Sequence, residues 1–210
     1  MVYRALILDY GGVLTRPLHQ SFHAFETEIG IPTGTCVRLL VDASRTTGGG
    51  VIGKVERGEI TEGEFERQLR ELLISEGHQV PDVPLIGGLF RDAIPDGDLW
   101  DVADELRQRQ LVTAVLSNSW GRSLYPFERI NQSFDEVLIS EDVGLRKPDP
   151  AIYQLMLTRL RLDASSCVFV DDLPRNVEAA QQLGMNAVWH DGDHERVAAS
   201  IRQLFTTTTG

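Results

Sequence analysis

Cysteine is scarce in this chain: Cys36 and Cys167 lie far apart and form no CxxC, which argues against a zinc site and a secreted disulfide framework. Both read as reduced core thiols. Positive charge is also in short supply. Only 20 Lys and Arg stand against 31 Asp and Glu, for a formal net charge of −11, and the basic residues are scattered rather than clustered. Nucleic acid and anionic membranes are therefore not expected partners, and an anionic substrate would have to be drawn in by a few local cations and a metal. Long apolar runs are missing as well. No segment approaches the roughly 18 apolar residues of a membrane span, and the opening MVYRALILDYGG has too short an apolar run for a signal peptide. The five histidines, His19, His23, His78, His190 and His194, show no metal-ligand spacing and read as surface or cap residues. The expectation is a cytoplasmic enzyme with no membrane attachment; oligomeric state is not legible.

What is present is a core of ample size. In 210 residues, 42% of them hydrophobic, short apolar runs occur at Ala5–Leu8, Val112–Leu116, Val137–Ile139, Val168–Val170 and Ala187–Trp189. Bounded by polar or Gly residues, they read as buried parallel strands. Amphipathic helices fill the gaps: Leu99, Val102, Ala103 and Leu106 share a face, as do Ile152, Leu155, Met156 and Leu160, and then Val177, Ala180 and Leu183 before Gly184. Alternating strand and helix predicts an α/β fold with a doubly wound parallel sheet, a Rossmann-like core.

About a hundred residues separate the first two runs, where a simple crossover needs a few dozen, so something is inserted. Phe22, Phe25 and Ile29 mark one helical face and Phe65, Leu69, Leu72 and Leu73 another, the second opening on a capping box from Thr61 to Glu64. The expected division is a small inserted helical cap over 17–84, a catalytic core made of 1–16 and 85–205, and a flexible tail over 206–210. Gly48-Gly49-Gly50 reads either as a substrate loop or as an exposed connector.

Ligands of open α/β sheets bind beyond the carboxyl ends of the strands. Four polar groups follow the apolar runs: Asp9 with Tyr10-Gly11-Gly12, Ser117-Asn118, Arg146-Lys147-Pro148-Asp149-Pro150, and Asp171-Asp172. Each alone is ordinary turn or cap chemistry. Adjacent carboxylates at a strand end, however, repel each other unless a cation compensates, and the ordered set is specific.

With DYGGVL, LSN, KPDP and VFVDD in this order, the chain resembles the haloacid dehalogenase superfamily over nearly its whole length. It is most similar to phosphatase-like members with a helical cap after the first motif, including the phosphatase domain of soluble epoxide hydrolases. The resemblance implies Asp9 as covalent nucleophile and Lys147 as the cation beside it. It also implies that Ser117 and the Asn118 backbone, with Gly12, bind the transferring group. Mg²⁺ would be held by Asp9, the Gly11 carbonyl and Asp172, with Asp171 assisting. The residue types suit the chemistry: a carboxylate can attack phosphorus in line, Mg²⁺ prefers oxygen ligands, and a lysine offsets the meeting of two anions. The expected substrate is a small-molecule phosphate ester.

One position departs from the pattern. Phosphatases of the superfamily typically carry an acid/base Asp two residues after the nucleophile, and here that residue is Gly11. Thr15, His19 or a cap carboxylate are candidates to replace it, and Arg45, Lys54 and Arg57 are cap residues able to meet a substrate. The alternatives are a 2-haloacid dehalogenase, against which Asp171-Asp172 argues, and a non-catalytic protein binding a phospho-ligand or a partner.

Overall fold

A computed structural model describes residues 2–44 and 49–206. Five parallel strands, β1 (Ala5–Leu8), β2 (Val112–Ser117), β3 (Glu136–Ile139), β4 (Cys167–Asp171) and β5 (Asn186–Trp189), form one sheet in the order β3-β2-β1-β4-β5. This is the doubly wound α/β core expected from the alternation. Its period-2 pattern divides the core cleanly. Leu6 and Leu8 point into one apolar layer with Leu99, Val102, Ala103 and Leu106, whereas Ala5 and Ile7 point into the other with Ile152, Met156, Val177 and Ala180. Leu155, Leu160 and Leu183 are only partly buried at the margin of that second layer. Both cysteines are buried and unpaired. Among the described residues no helix is long and apolar enough to cross a membrane.

The helices after β1 are α1 (Leu18–Glu28), α2 (Thr35–Ser44), α3 (Gly50–Glu56), α4 (Glu62–Ser75) and α5 (Leu85–Leu89). They enclose an apolar cluster of their own, built on Phe22, Phe25, Phe65, Leu69 and Leu73. That cluster continues past residue 84 through Leu85, Ile86 and Leu89, because Gly88 leaves room for the Phe25 ring against α5. The Thr61 hydroxyl accepts the Glu64 N–H at 3.2 Å, half of a capping box; the Glu64 carboxylate turns instead to Arg67 and Gln68. At the base of the insertion the chain leaves and returns side by side. Thr15 bridges Pro95, the Arg16 N–H donates to the Ile94 carbonyl at 3.0 Å and the Asp96 N–H to Leu14 at 3.0 Å.

The remaining helices are α6 (Gly97–Gln108), α7 (Phe127–Ser133), a single turn α8 (Ser140–Val143), α9 (Pro150–Leu160), α10 (Pro174–Gln182) and α11 (His194–Thr206). Thr206, expected in the tail, ends α11. Arg45, Gly48 and the last four residues lie outside the described residues. Not all histidines sit as expected: His190, following β5, is buried, and burial together with the neighbouring His194 lowers its pKa to about 4.

Candidate active site

The carboxyl ends of the three central strands converge on one lysine. Asp9 follows β1, with its N–H bound to the Val170 carbonyl of β4 at 2.9 Å; Asp171 closes β4, and Ser117 closes β2. Lys147, on the loop before α9, is wholly buried. Its ammonium reaches Asp9 Oδ1 at 2.8 Å, Asp171 Oδ2 at 2.7 Å and the Leu116 carbonyl at 2.8 Å, so all three protons are used. The Asn118 side chain holds this lysine in place by clasping its backbone in both directions: Nδ2 donates to the Lys147 carbonyl at 3.0 Å, and Oδ1 accepts the Lys147 N–H at 2.8 Å. The second and third motifs are thereby joined through a side chain for which a backbone role was expected.

Asp9 Oδ1 also accepts the Tyr10 N–H at 2.7 Å, which leaves Oδ2 as the oxygen free of protein donors among the described residues. Asp171 differs. Its Oδ1 accepts from Leu173 N–H and Asn176 Nδ2, both at 2.9 Å, and its Oδ2 holds Lys147. Both its oxygens accept protein donors, Lys147 among them, whereas Asp172 faces the cavity. Gly12 brings Asp172 close: it has φ +76°, and a Cβ there would stand 2.6 Å from Asp172 Oδ2. The Gly12 N–H is donated to Thr15 Oγ1 at 2.9 Å. Gly11 lines the cavity at an ordinary φ. Ser117 is buried and shares a 2.9 Å hydrogen bond with the Tyr125 hydroxyl.

Three carboxylates around one ammonium leave an excess of negative charge. Burial, with the Asp171 charge and against the pull of Lys147, raises Asp9 to about 7. Burial and the charges of Asp9 and Asp171 raise Asp172 to about 8. For Lys147 burial works to lower the pKa, but the charges of Asp171 and Asp9 outweigh it and hold the ammonium above its ordinary value. One oxygen from each of Asp9, Asp171 and Asp172 lies within 4.8 Å of the others. Hard oxygen donors carrying surplus charge at this spacing fit a small divalent cation such as Mg²⁺.

Above these carboxylates lies a cavity of about 450 Å³ between the sheet and the helical insertion. Sequence reasoning missed most of its wall. Trp120, after β2, packs against Phe22, Phe65 and Phe90 of the insertion, with ring centroids 5.9, 5.5 and 5.2 Å away, and its indole N–H donates to Glu56 Oε1 at 3.2 Å. Glu56, at the end of α3, pairs with Arg146 Nε at 2.5 Å, and its backbone carbonyl accepts the Ser140 hydroxyl. Burial raises the Glu56 pKa against the pull of Arg146. Arg146 stands in the third motif, but nothing in the sequence marks Glu56 as its partner. Lys54 and Arg57 do not line the cavity, and Arg57 pairs with Glu59 at 2.6 Å. Of the candidates for the missing acid, Thr15 donates its hydroxyl to the Arg16 carbonyl at 3.0 Å and Glu56 is tied to Arg146; His19 lines the wall exposed.

Comparison with known proteins places this geometry in a wider group. The chain is 32% identical over 209 residues to mouse (Mus musculus) acyl-CoA dehydrogenase family member 10, covering 96% of this chain and 19% of that protein. It is 27% identical over 205 residues to bifunctional epoxide hydrolase 2 of Sus scrofa, covering 90% and 36%. Phosphatase MT3486 of Mycobacterium tuberculosis is 33% identical over 119 residues, covering 55% and 54%. The chain thus spans about a fifth to about half the length of these relatives. Among solved structures, a HAD-like family hydrolase from Porphyromonas gingivalis superposes with a TM-score of 0.73 at 23% identity, covering 97% and 98% of the two chains. A HAD family enzyme of Bacteroides thetaiotaomicron, crystallised with magnesium and inorganic phosphate, gives 0.66 at 21%, covering 91% and 96%. The L-2-haloacid dehalogenase RSc1362 gives 0.70 at 17%, covering 96% and 100%, so the fold alone does not separate the two chemistries. Residues 3–184 match the family of haloacid dehalogenase-like hydrolases, and the chain belongs to that family.

Proposed function

We propose that the protein is a Mg²⁺-dependent phosphatase that cleaves a small phosphate monoester through an aspartyl-phosphate on Asp9. The observation that carries this reading is the gathering of three carboxylates, Asp9, Asp171 and Asp172, within 4.8 Å of one another, where Lys147 pairs with Asp9 and Asp171. An enzyme attacking carbon without a metal has no use for Asp172 facing an anionic substrate, whereas a divalent cation needs it. The phosphatase and the magnesium-phosphate complex among the similar proteins support the same choice.

When bound, Mg²⁺ would be held by Asp9 and Asp172, with the Gly11 carbonyl a further donor, and would supply neutralising charge to the phosphoryl oxygens. The chain's own residues do the rest. Lys147 and the Tyr10 N–H fix Asp9 Oδ1, so that Oδ2 attacks phosphorus as the phosphorus–oxygen ester bond breaks. Ser117, held by Tyr125, and the backbone beside it face the equatorial oxygens. The leaving oxygen takes a proton from water or His19, since Gly11 has no side chain, the Thr15 hydroxyl is committed to the Arg16 carbonyl and Glu56 is held against Arg146. Water then hydrolyses the aspartyl-phosphate, releasing inorganic phosphate and restoring the carboxylate. The test is phosphate release from 4-nitrophenyl phosphate with Mg²⁺ and with excess chelator, set beside halide release from 2-chloropropionate. Halide release without metal, or phosphate release undiminished by chelator, would overturn the proposal.

A further inference from the structure

We infer that the leaving group of this site is apolar, an alcohol or phenol bearing a hydrocarbon chain, an inference that rests on the phosphatase reading above. Beyond the carboxylates apolar side chains come from every element of the wall: Leu18 and Phe22 from α1, Leu40 from α2, Ile52 from α3, Phe90 after α5, and Leu124 from the core. At the rim Val37 of α2 is 38% exposed, a large aliphatic side chain left in water beside the cavity. Several of the polar groups interleaved with these residues are engaged within the protein, while His19 stands exposed on the wall. The Ser123 hydroxyl donates to Glu62 at 2.8 Å, Thr15 donates to the Arg16 carbonyl at 3.0 Å, Tyr125 shares its hydroxyl with Ser117 at 2.9 Å, and Glu56 is held by Arg146 and Trp120. Of the cations, Arg146 is engaged by Glu56, and Arg175 lies near that pair.

A polyhydroxylated leaving group entering such a space would surrender hydrogen bonds to water and find few free partners, a cost that grows with each hydroxyl. A hydrocarbon chain has nothing to lose there and gains for each methylene withdrawn from water. The cavity, at about 450 Å³, falls within the range that encloses a molecule of drug size, enough for an aromatic ring or a medium-length chain.

The experiment uses 4-alkylphenyl phosphates from methyl to hexyl, below their micelle concentrations, because the leaving phenol's acidity barely changes along the series. Hexose 1- and 6-phosphates provide the polar arm, and calorimetric titration with the matching alkylphenyl phosphonates provides a readout independent of turnover. The expected result is a rise in kcat/KM of about fourfold per methylene until the cavity is full, matching tighter phosphonate binding, and a smaller gain per methylene in Val37→Asp. A flat series with phosphate still released, or hexose phosphates preferred to hexylphenyl phosphate, would overturn the inference and leave the phosphatase reading standing. If no ester is hydrolysed, the phosphatase reading fails, and phosphonate affinity decides the pocket alone: affinity rising with chain length upholds an apolar binding site, and unchanged affinity removes it.

Discussion

Lys147 donates to Asp9 Oδ1 at 2.8 Å from a position with no exposure to solvent. A buried ammonium is tolerated only while its partners remain ionised, so this lysine and the carboxylates around it stand or fall together. Lys147→Met should destabilise the fold by about 3–5 kcal/mol, measured by urea unfolding, besides abolishing turnover. A variant as stable as the wild type would mean that the carboxylates do not depend on it.

Asp9→Asn keeps the shape of the side chain and one oxygen for Lys147, but it is not an anionic nucleophile. The fold should survive, by circular dichroism and melting temperature, while turnover falls by about 10³-fold or more. A verified, well-folded variant with wild-type activity would end the covalent route through Asp9.

The cation can be sought without any substrate. Ligands that bind only the folded state stabilise it, by about 2.7 kcal/mol at a hundredfold excess over Kd. Mg²⁺ should therefore raise the melting temperature in a saturable manner, and Asp172→Asn should weaken that response by removing a charged ligand. A wild type indifferent to Mg²⁺ would speak against the site.

The raised carboxylates also set a pH dependence. Asp9 and Asp172 titrate near 7 and 8 when folded, against an ordinary value of 3.8, so the folded state binds more protons than the unfolded one as pH rises through this range. Metal-free protein should lose stability as pH rises from about 4, where the unfolded carboxylates ionise, to about 8, where the folded ones do. Over the lower part of that range His190, lowered by burial to about 4, acts in the opposite sense, since the unfolded chain binds its proton first. Urea midpoints at pH 6.5 and 8 in chelator, and again with Mg²⁺, check the sign; the decline should shrink with metal present.

Gly11 offers the sharpest chemical test. Without an acid placed there, rates should depend steeply on leaving-group acidity, with aryl, acyl or anomeric phosphates turned over faster than simple alkyl phosphates. Gly11→Asp should flatten that dependence. The backbone allows it, because φ at Gly11 is ordinary and the nearest obstacle to a Cβ is the Leu18 Cδ1 methyl at 3.1 Å. Gly12→Ala is the contrasting variant, strained at φ +76° and pressed against Asp172, and should impair Mg²⁺ binding. A shallow dependence in the wild type, unchanged in Gly11→Asp, would show that another group supplies the proton.

What the sequence revealed, and what it hid, follows from the range of the interactions. The strands were legible because apolar runs with polar ends are local patterns, and the polar ends of β1, β2 and β4 meet because parallel strands bring equivalent ends together. The carboxylates and Lys147 could thus be named from spacing and resemblance. The conformational demand in the first motif falls on Gly12, which has φ +76° and lies against Asp172 arriving from another strand, and neither fact is written in the local sequence. The Glu56–Arg146 pair and the Trp120 contacts were illegible for the same reason, since they join segments whose separation along the chain carries no periodic signal. Asn118 shows a subtler limit: its motif was recognisable, but whether its side chain or its backbone does the work depends on where Lys147 arrives.

The pairing of Thr15 with Pro95 has a consequence for how this chain pays its entropy of folding. Because the segment between them starts and finishes at a single point, the core meets it as one closed loop, and the cost of closing such a loop grows only with the logarithm of its length. Doubling it would add about 0.6 kcal/mol. Residues can therefore be added to or removed from the insertion, away from its contacts with Trp120, Ser123, Ser140 and Arg146, at little cost in closing the loop. The surface that meets the leaving group is free to vary while Asp9, Lys147 and Asp172 keep their places.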